Sequence, residues 1–302
     1  MFAQSLIIFI GLLSIQAGQS QTTPGLALEH LPLEAVSSVI IPEKKNSESF
    51  GVEITARAGV VMDVASGEML FEKNANTAYP IASLTKLMTV MTFLDAKPNL
   101  QSEIVVASDD QATEGKLVFI SGERFTKEEV LRSVLVGSVN AGANVLARAE
   151  GDREVFIRNM NEKARALGMR HAYFVEPTGL DPRNRASAKD VALALRASLS
   201  YPEIQESTEL TQYRVRGRAT ETVYEIESTN LLLDSFLNQN AYQIIAGKTG
   251  SLPEAGFCLA QDTKNAQGNE IIAVALGSDN HFSRFQDVKA LTAWAFDTFE
   301  WK

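Results

Sequence analysis

Apolar and polar positions divide the chain into stretches of different period. Residues 6–15 form an apolar run broken only by Gly11 and Ser14, inside a segment, 1–28, with no charged side chain. That run has the length of a signal-peptide h-region and falls short of the roughly 18 apolar residues of a spanning helix. Residues 1–20 therefore read as a signal peptide, with Ala17, Gly18 and Ser20 as the small residues of a cleavage site. No Lys or Arg precedes the run, so an uncleaved anchor is the other reading. Residues 21–50 are polar, with Pro24, Pro32, Pro42 and the run Glu43-Lys44-Lys45-Asn46-Ser47, and read as a leader or linker.

Beyond residue 50 the periods become regular. AGVVMD at 58–63 and MLFEK at 69–73 are short apolar runs, and Ala65-Ser66-Gly67-Glu68 between them predicts a β-hairpin. From Ser83, apolar residues at Leu84, Leu87, Met88, Met91 and Leu94 follow the rhythm of a helix. Thr126 with Glu129 makes a capping box ahead of VLRSVLV. Further helices are predicted over 141–150 and from Asp152 to a stop at Gly168, the latter with Phe156, Met160, Ala164 and Leu167 on one face. Another runs from Ser187 and ends before Pro202. Runs at 243–248, 257–261 and 271–277 read as strands, and a last helix over 282–299 turns Phe285, Val288, Ala295 and Phe299 inward. Strands at both ends and helices between them are most economically one sheet. The expectation is a mixed α/β (α+β) fold over 51–302: an antiparallel sheet built from both chain ends, flanked by helices, with an all-helical subdomain inserted at about 97–240.

Composition narrows the chemistry. The 302 residues carry 28 Lys and Arg against 37 Asp and Glu, a net charge of −9. That balance excludes a nucleic-acid binder, which needs a basic face, and docking on an anionic membrane through a polybasic patch. Only three histidines, His30, His171 and His281, and one cysteine, Cys258, are present. A lone cysteine forms no intramolecular disulfide and no Cys-rich zinc site, and no metal or cofactor is expected. Cys258 sits in the apolar run GFCLA and reads as a buried structural thiol. His171 and His281 fall at polar element edges and read as solvated. Gly247-Lys248-Thr249 resembles the end of a phosphate loop, but Tyr242 stands where that motif needs glycine, and Gly250 with Pro253 prevents the helix that must follow.

Ser83 and Lys86 fit a different chemistry. At the start of a helix, residues three apart share a face, so Ser83 Oγ and Lys86 Nζ lie one turn apart. A serine hydroxyl needs a base to attack a carbonyl at neutral pH, and a lysine serves once burial lowers its pKa. Leu84, Leu87 and Met88 around Lys86 supply that burial. On its own the pair also reads as an N-cap serine beside a solvated lysine. Two later segments shift the balance. Ser138-Val139-Asn140 falls between two helices, where a loop presents both side chains, and Lys248-Thr249-Gly250 ends a strand run. Ser-x-x-Lys, a Ser-x-Asn and Lys-Thr-Gly, in this order, are the signature set of the serine acyl-enzymes among β-lactamases and penicillin-binding proteins.

With these motifs the chain resembles the low-molecular-mass penicillin-binding proteins, the serine-type D-alanyl-D-alanine carboxypeptidases and endopeptidases, of β-lactamase/transpeptidase-like fold. The resemblance runs from about residue 58 to 299 and includes VMDVASGEMLFEKNAN, NMNEKARALGM, FVEPTGLD, GKTGSLPEAGFCLA and a final helix led by SRF. It implies Ser83 as nucleophile and Lys86 as its base. Ser138 would relay protons toward the leaving amine, and Asn140 would bind the substrate amide and hold Lys86. Lys248 and Thr249 would bind the terminal carboxylate of the stem peptide, with Gly250 leaving room beside the strand. The backbone N–H groups of Ser83 and Ser251 would form the oxyanion hole. It further implies peptidoglycan peptides ending in or cross-linked through D-Ala as substrates, β-lactams as covalent inhibitors, and export to the periplasm, with tethering if the N-terminal segment is retained. Ala141-Gly142 after Asn140, and Arg185-Ala186-Ser187 in place of a His-x-Ser-Thr pattern, depart from the family pattern and bear on substrate preference. The chain stops directly after the predicted last helix, a form more like the endopeptidase branch. Two alternatives remain at this stage: a β-lactamase, for which no Glu-x-x-Leu-Asn segment is present, and a catalytically silent peptidoglycan-binding module, against which the intact motif residues argue.

Overall fold

The computed structural model describes residues 39–48, 50–112, 119–149 and 151–302. The expected signal peptide and most of the expected linker lie outside the described residues. Strand β1 (Ala58–Asp63) is buried at every position, as a run apolar on both faces must be. It lies inside a five-stranded antiparallel sheet with β2 (Met69–Lys73), β3 (Tyr242–Leu252), β4 (Gly256–Asn265) and β5 (Glu270–Ser278). The order is β3-β4-β5-β1-β2, so both chain ends build one sheet and β3 is an edge. The three later strands extend beyond their apolar runs, because ladder bonds form regardless of side chain. Polar Lys248 and Thr249 pair with Ala260 and Leu259.

Alternation along the strands separates two cores. Val60, Met62, Ile272 and Val274 belong to one core, together with Val191, Ala192 and Leu195 of a helix that packs on this face and with Leu87, Met88 and Met91 of α1 (Thr85–Asp95). Val61, Ile271, Ala273 and Ala275 face the other, onto Phe285, Val288, Leu291 and Ala295 of a C-terminal helix, Ser283–Thr298. Every residue of α1 from Thr85 to Phe93 is buried, which makes it a central helix rather than an amphipathic surface one. Between the halves come α2 (Lys127–Val136), α3 (Asn140–Ala149), α4 (Arg153–Ala166), α5 (Ala188–Ser198) and α6 (Pro202–Thr208), and the C-terminal helix is α7. Thr126 caps α2, and Glu129 returns the bond, as the capping box predicts.

Four expectations need correction. The helix expected from Ser83 begins at Thr85, because Ala82–Leu84 is a separate 3-10 turn. The insert at 97–240 is not all-helical: Glu103–Val105 pairs with Arg124–Thr126, and Gln212–Arg216 with Val223–Glu227. The second ribbon turns chiefly Val215 and Ile226 inward, too short an apolar alternation to stand out from polar loop. A sixth helix, α6, starts at Pro202, where proline at the first turn costs nothing because its missing N–H has no partner there. Finally, the end of the expected linker is part of the fold. Glu43–Lys44 pairs with Phe299–Glu300, and Lys45 Nζ donates to the carbonyls of Phe296 and Asp297.

Candidate active site

Three elements converge where β3 passes the 3-10 turn. The turn carries Ser83 after Ala82, whose φ is +48°. A left-handed alanine costs roughly 1–3 kcal/mol and persists only where neighbours hold it. Two glycines do so by close approach. A Cβ at Gly179 would sit 2.1 Å from the Ala82 carbonyl oxygen, and one at Gly250 would sit 2.9 Å from that of Ile81 and 3.0 Å from Ser83 N. Gly179 itself has φ +84°. Gly179→Ala is therefore expected to destabilise the protein by more than about 1 kcal/mol and to slow acylation at Ser83, with thermal unfolding and the acylation rate as the two measurements. Unchanged acylation would show that Gly179 does not shape the Ser83 turn.

The α2–α3 connection carries the second element. Ser138 takes φ +59°, and Asn140 opens α3. Lys86 Nζ lies 2.8 Å from Ser83 Oγ, 2.7 Å from Asn140 Oδ1 and 2.5 Å from the Thr178 carbonyl oxygen. Burial lowers its pKa to about 7, partly opposed by the negative charge of Glu176. A neutral amine offers two N–H donors and one lone pair. Asn140 Oδ1 and the Thr178 carbonyl accept the two donors, which leaves the lone pair for the Ser83 hydroxyl. The same three oxygens also accept the three N–H groups of the ammonium, so the site holds either form of Lys86.

Thr178 arrives on a loop tied by one carboxylate. Glu176 accepts from Thr178 N, Thr178 Oγ1, Gly179 N and Asn184 Nδ2, each at 2.6 Å, and from Asp181 N at 3.4 Å. The backbone carbonyl of fully buried Asn184 accepts from Ile81 N, joining this loop to the approach of the Ser83 turn.

The third element is the cationic end of the site. Lys248 Nζ donates to Ser138 Oγ (2.9 Å) and to the Thr249 carbonyl (3.0 Å), and Thr249 Oγ1 donates to Thr229 Oγ1 (2.6 Å). Burial holds the Lys248 pKa well below the ordinary lysine value, helped by the nearby charges of Lys86 and Arg284. Arg284, 4 % exposed, donates to the Gly250 carbonyl at 3.1 Å, and its Nε has no partner. Burial pushes it down to about 10, so it remains a cation at neutral pH. Among the described residues no carboxylate pairs with Lys86, Lys248 or Arg284. A cavity of about 320 Å³ opens here, lined by Ser83, Ser138, Thr229, Thr249, Ser251 and Arg284. Arg284 is a buried cation without a counter-charge, which favours an anion, so this end of the cavity suits a carboxylate.

All eight residues singled out from the sequence belong to this one region: Ser83, Lys86, Ser138, Asn140, Lys248, Thr249, Gly250 and Ser251. The sequence reading did not give roles to Thr178, Glu176, Thr229 or Arg284. The segments FVEPTGLD and SRF contained three of them, but nothing local marked a backbone carbonyl or a remote arginine as part of the site. His281 is exposed, as its place at an element edge implies, and it also lines the cavity, with Nδ1 3.2 Å from Arg284. Cys258 is buried, and its thiol is pushed up to about 11.

An edge strand carrying Lys-Thr-Gly beside a buried Ser-x-x-Lys turn is the architecture of the penicillin-binding, active-site-serine fold. Solved structures share the fold: a Streptomyces K15 DD-transpeptidase superposes with a TM-score of 0.77 at 23% identity, covering 82% of this chain and 100% of that one. Penicillin-binding protein D2 from Listeria monocytogenes, in its cefotaxime-bound form, gives 0.71 at 29% identity, again over 82% and 100%. The chain belongs to the peptidase S11 family, described as D-alanyl-D-alanine carboxypeptidase, which matches residues 43–280. It is similar to the D-alanyl-D-alanine endopeptidase of Pseudomonas aeruginosa, 32% identical over 248 residues, 80% of this chain and 77% of that one. D-alanyl-D-alanine carboxypeptidase DacF of Bacillus subtilis is 28% identical over 253 residues, 81% and 63% of the two chains. The protein is accordingly a serine DD-peptidase.

Proposed function

We propose that the protein cleaves D-Ala-containing cross-links of peptidoglycan as a DD-endopeptidase, through an acyl-enzyme on Ser83. The acyl-enzyme rests on Lys86 Nζ, buried between Ser83 Oγ, Asn140 Oδ1 and the Thr178 carbonyl, and similarity to the D-alanyl-D-alanine endopeptidase of Pseudomonas aeruginosa supports the endopeptidase preference. The substrate carbonyl sits over Ser83, and its carboxylate lies toward Lys248, Thr249 and Arg284. Lys86 takes the Ser83 proton as Oγ attacks. The backbone N–H groups of Ser83 and Ser251 stabilise the oxyanion, an effect generally worth about 10²–10³ in rate per donor. As the C–N bond breaks, Ser138, bonded to Lys248, relays to the departing amine the proton that Lys86 took, and water then hydrolyses the ester and returns a proton to Ser83.

A β-lactam offers the same carbonyl and the same carboxylate, so it acylates Ser83. A β-lactamase needs a further group to activate water against that ester, in class A enzymes a glutamate. Glu176 is the carboxylate near Lys86, and its five accepted bonds fill the roughly four lone-pair sites of a carboxylate. This supports slow turnover of the penicilloyl ester and a peptidase rather than a β-lactamase. Peptidoglycan lies outside the cytoplasm, so the proposed location is extracytoplasmic, and among the described residues no helix is long and apolar enough to cross a membrane.

The test uses two substrates: a D-Ala-D-Ala pentapeptide and a cross-linked dimer muropeptide. Cleavage of the dimer by the wild-type protein is expected. Release of D-alanine from the pentapeptide with an untouched dimer would place it instead with the carboxypeptidases. Cleavage of neither would overturn the peptidase reading.

A further inference from the structure

A second cavity, of about 730 Å³, lies beyond the reactive one and is lined by Arg57, Ser251, Leu252, Phe257, Gly277 and Asp279 among others. The two cavities share Ser251. Along edge strand β3, Lys248 and Thr249 lie at the carboxylate-binding end, and Gly250 packs against Ser83. Ser251 and Leu252 continue away from that end. A peptide laid along this edge with its carbonyl on Ser83 therefore sends its acyl-donor portion, not its leaving group, toward the second cavity.

Two features of this cavity suit a charged ligand. Arg57 packs closely against two glycines in left-handed conformation. A Cβ at Gly277 (φ +69°) would come within 2.5 Å of Arg57 Nε, and one at Gly256 (φ +66°) within 3.0 Å of an Arg57 terminal nitrogen. The glycines thus shape a bed for the guanidinium, whose own polar contact is one long bond, 3.4 Å, to the Glu254 carbonyl. The second feature is Asp279. Its backbone N–H donates to Thr55 Oγ1, while neither its carboxylate nor the Arg57 guanidinium forms an ion pair with another described residue. Arg57 also lies 5.9 Å from the centroid of the Tyr79 ring, and a cation and an anion on the walls of one cavity, neither in an ion pair with a described residue, complement a ligand that carries both charges.

We infer that this cavity is a specificity subsite for the acyl-donor stem peptide, in which Arg57 binds the carboxylate and Asp279 the ammonium of a diamino-acid side chain. The inference rests on the peptidase reading above and names the substrate class that the site selects. Binding energy from this remote contact serves to hold the scissile carbonyl over Ser83.

The test compares two cross-linked dimers that differ only in the third residue of the acyl-donor stem. One carries a diamino acid whose side chain ends in carboxylate and ammonium; the other carries lysine, which keeps the ammonium alone. The wild-type protein is expected to cleave the first with a kcat/KM about tenfold higher or more, as for a charged hydrogen bond. Arg57→Gln should erase that preference and leave both the lysine dimer and acylation by a labelled penicillin within about twofold of wild type. Asp279→Asn should slow both dimers alike. If Arg57→Gln lowers the unfolding temperature, Arg57→Lys, which keeps the charge, is expected to retain part of the preference. Equal kcat/KM for the two dimers in the wild-type protein, or an equal loss on both with Arg57→Gln, overturns the subsite while leaving the peptidase intact. A wild-type protein that neither cleaves a dimer nor binds penicillin covalently would remove the peptidase reading and the subsite with it.

Discussion

Ser83→Ala is expected to abolish the covalent adduct with a labelled penicillin and to lower peptidase activity by at least about 10³-fold, the scale at which loss of a nucleophile acts in serine hydrolases. Ser83 is the hydroxyl that lies both on the cavity and within 2.8 Å of Lys86 Nζ. Removing one oxygen from a half-buried turn leaves the fold in place, so the unfolding temperature should change little. The check is mass spectrometry of the intact protein after incubation with penicillin. The wild type should gain the full mass of the β-lactam, since ring opening expels no atoms, and the variant should gain none. A Ser83→Ala protein that still gains that mass would locate the nucleophile elsewhere, with Ser138 as the next hydroxyl on the cavity.

Lys86→Arg separates the charge of Lys86 from its basicity. A guanidinium stays protonated at every working pH, so acylation should fall by about 10²–10⁴-fold, the usual worth of a general base, and as far as with Lys86→Ala. Retained acylation would mean that another group activates Ser83. The wild-type pH profile provides a second check with a defined sign. The base is the neutral amine, and desolvation has lowered its pKa to about 7. Acylation should therefore rise with pH through about 7 and level off above about 8, gaining roughly tenfold from pH 6. A profile flat from pH 6 to 9 would contradict Lys86 as the base, as would one that rises only near the ordinary lysine value. Stopped-flow acylation with a chromogenic β-lactam gives both the variant rates and the profile.

Much of the architecture was legible because it is local. Caps at Thr126 and Ser187, the stop at Gly168 and the apolar alternation of β1 are properties of a few consecutive residues, and each appears where the pattern places it. Misses arose where local preference was weak. The ribbon Gln212–Arg216 with Val223–Glu227 has little apolar content, and the 3-10 turn at Ala82–Leu84 depends on contacts from Gly179 and Gly250 rather than on its own residues. The candidate site divides in the same way. Seven of its eight residues could be read from three short motifs, and Ser251 from the resemblance they carry. Its Thr178 carbonyl could not, because any residue type supplies a carbonyl, and Arg284 could not, because an arginine at the start of a helix is ordinarily solvated.

The sequence alone determined which residue types were present, in which order and in which kind of element. It thereby determined the family and the serine–lysine pairing that makes histidine and cysteine unnecessary for catalysis. Only the tertiary structure decided the state of those groups. Lys86 meets Asn140 and Thr178 across 54 and 92 residues, and Lys248 meets Ser138 across 110. Burial at these long-range junctions lowers the pKa of both lysines. A pKa depends on what surrounds a group in space, which no spacing along the chain specifies.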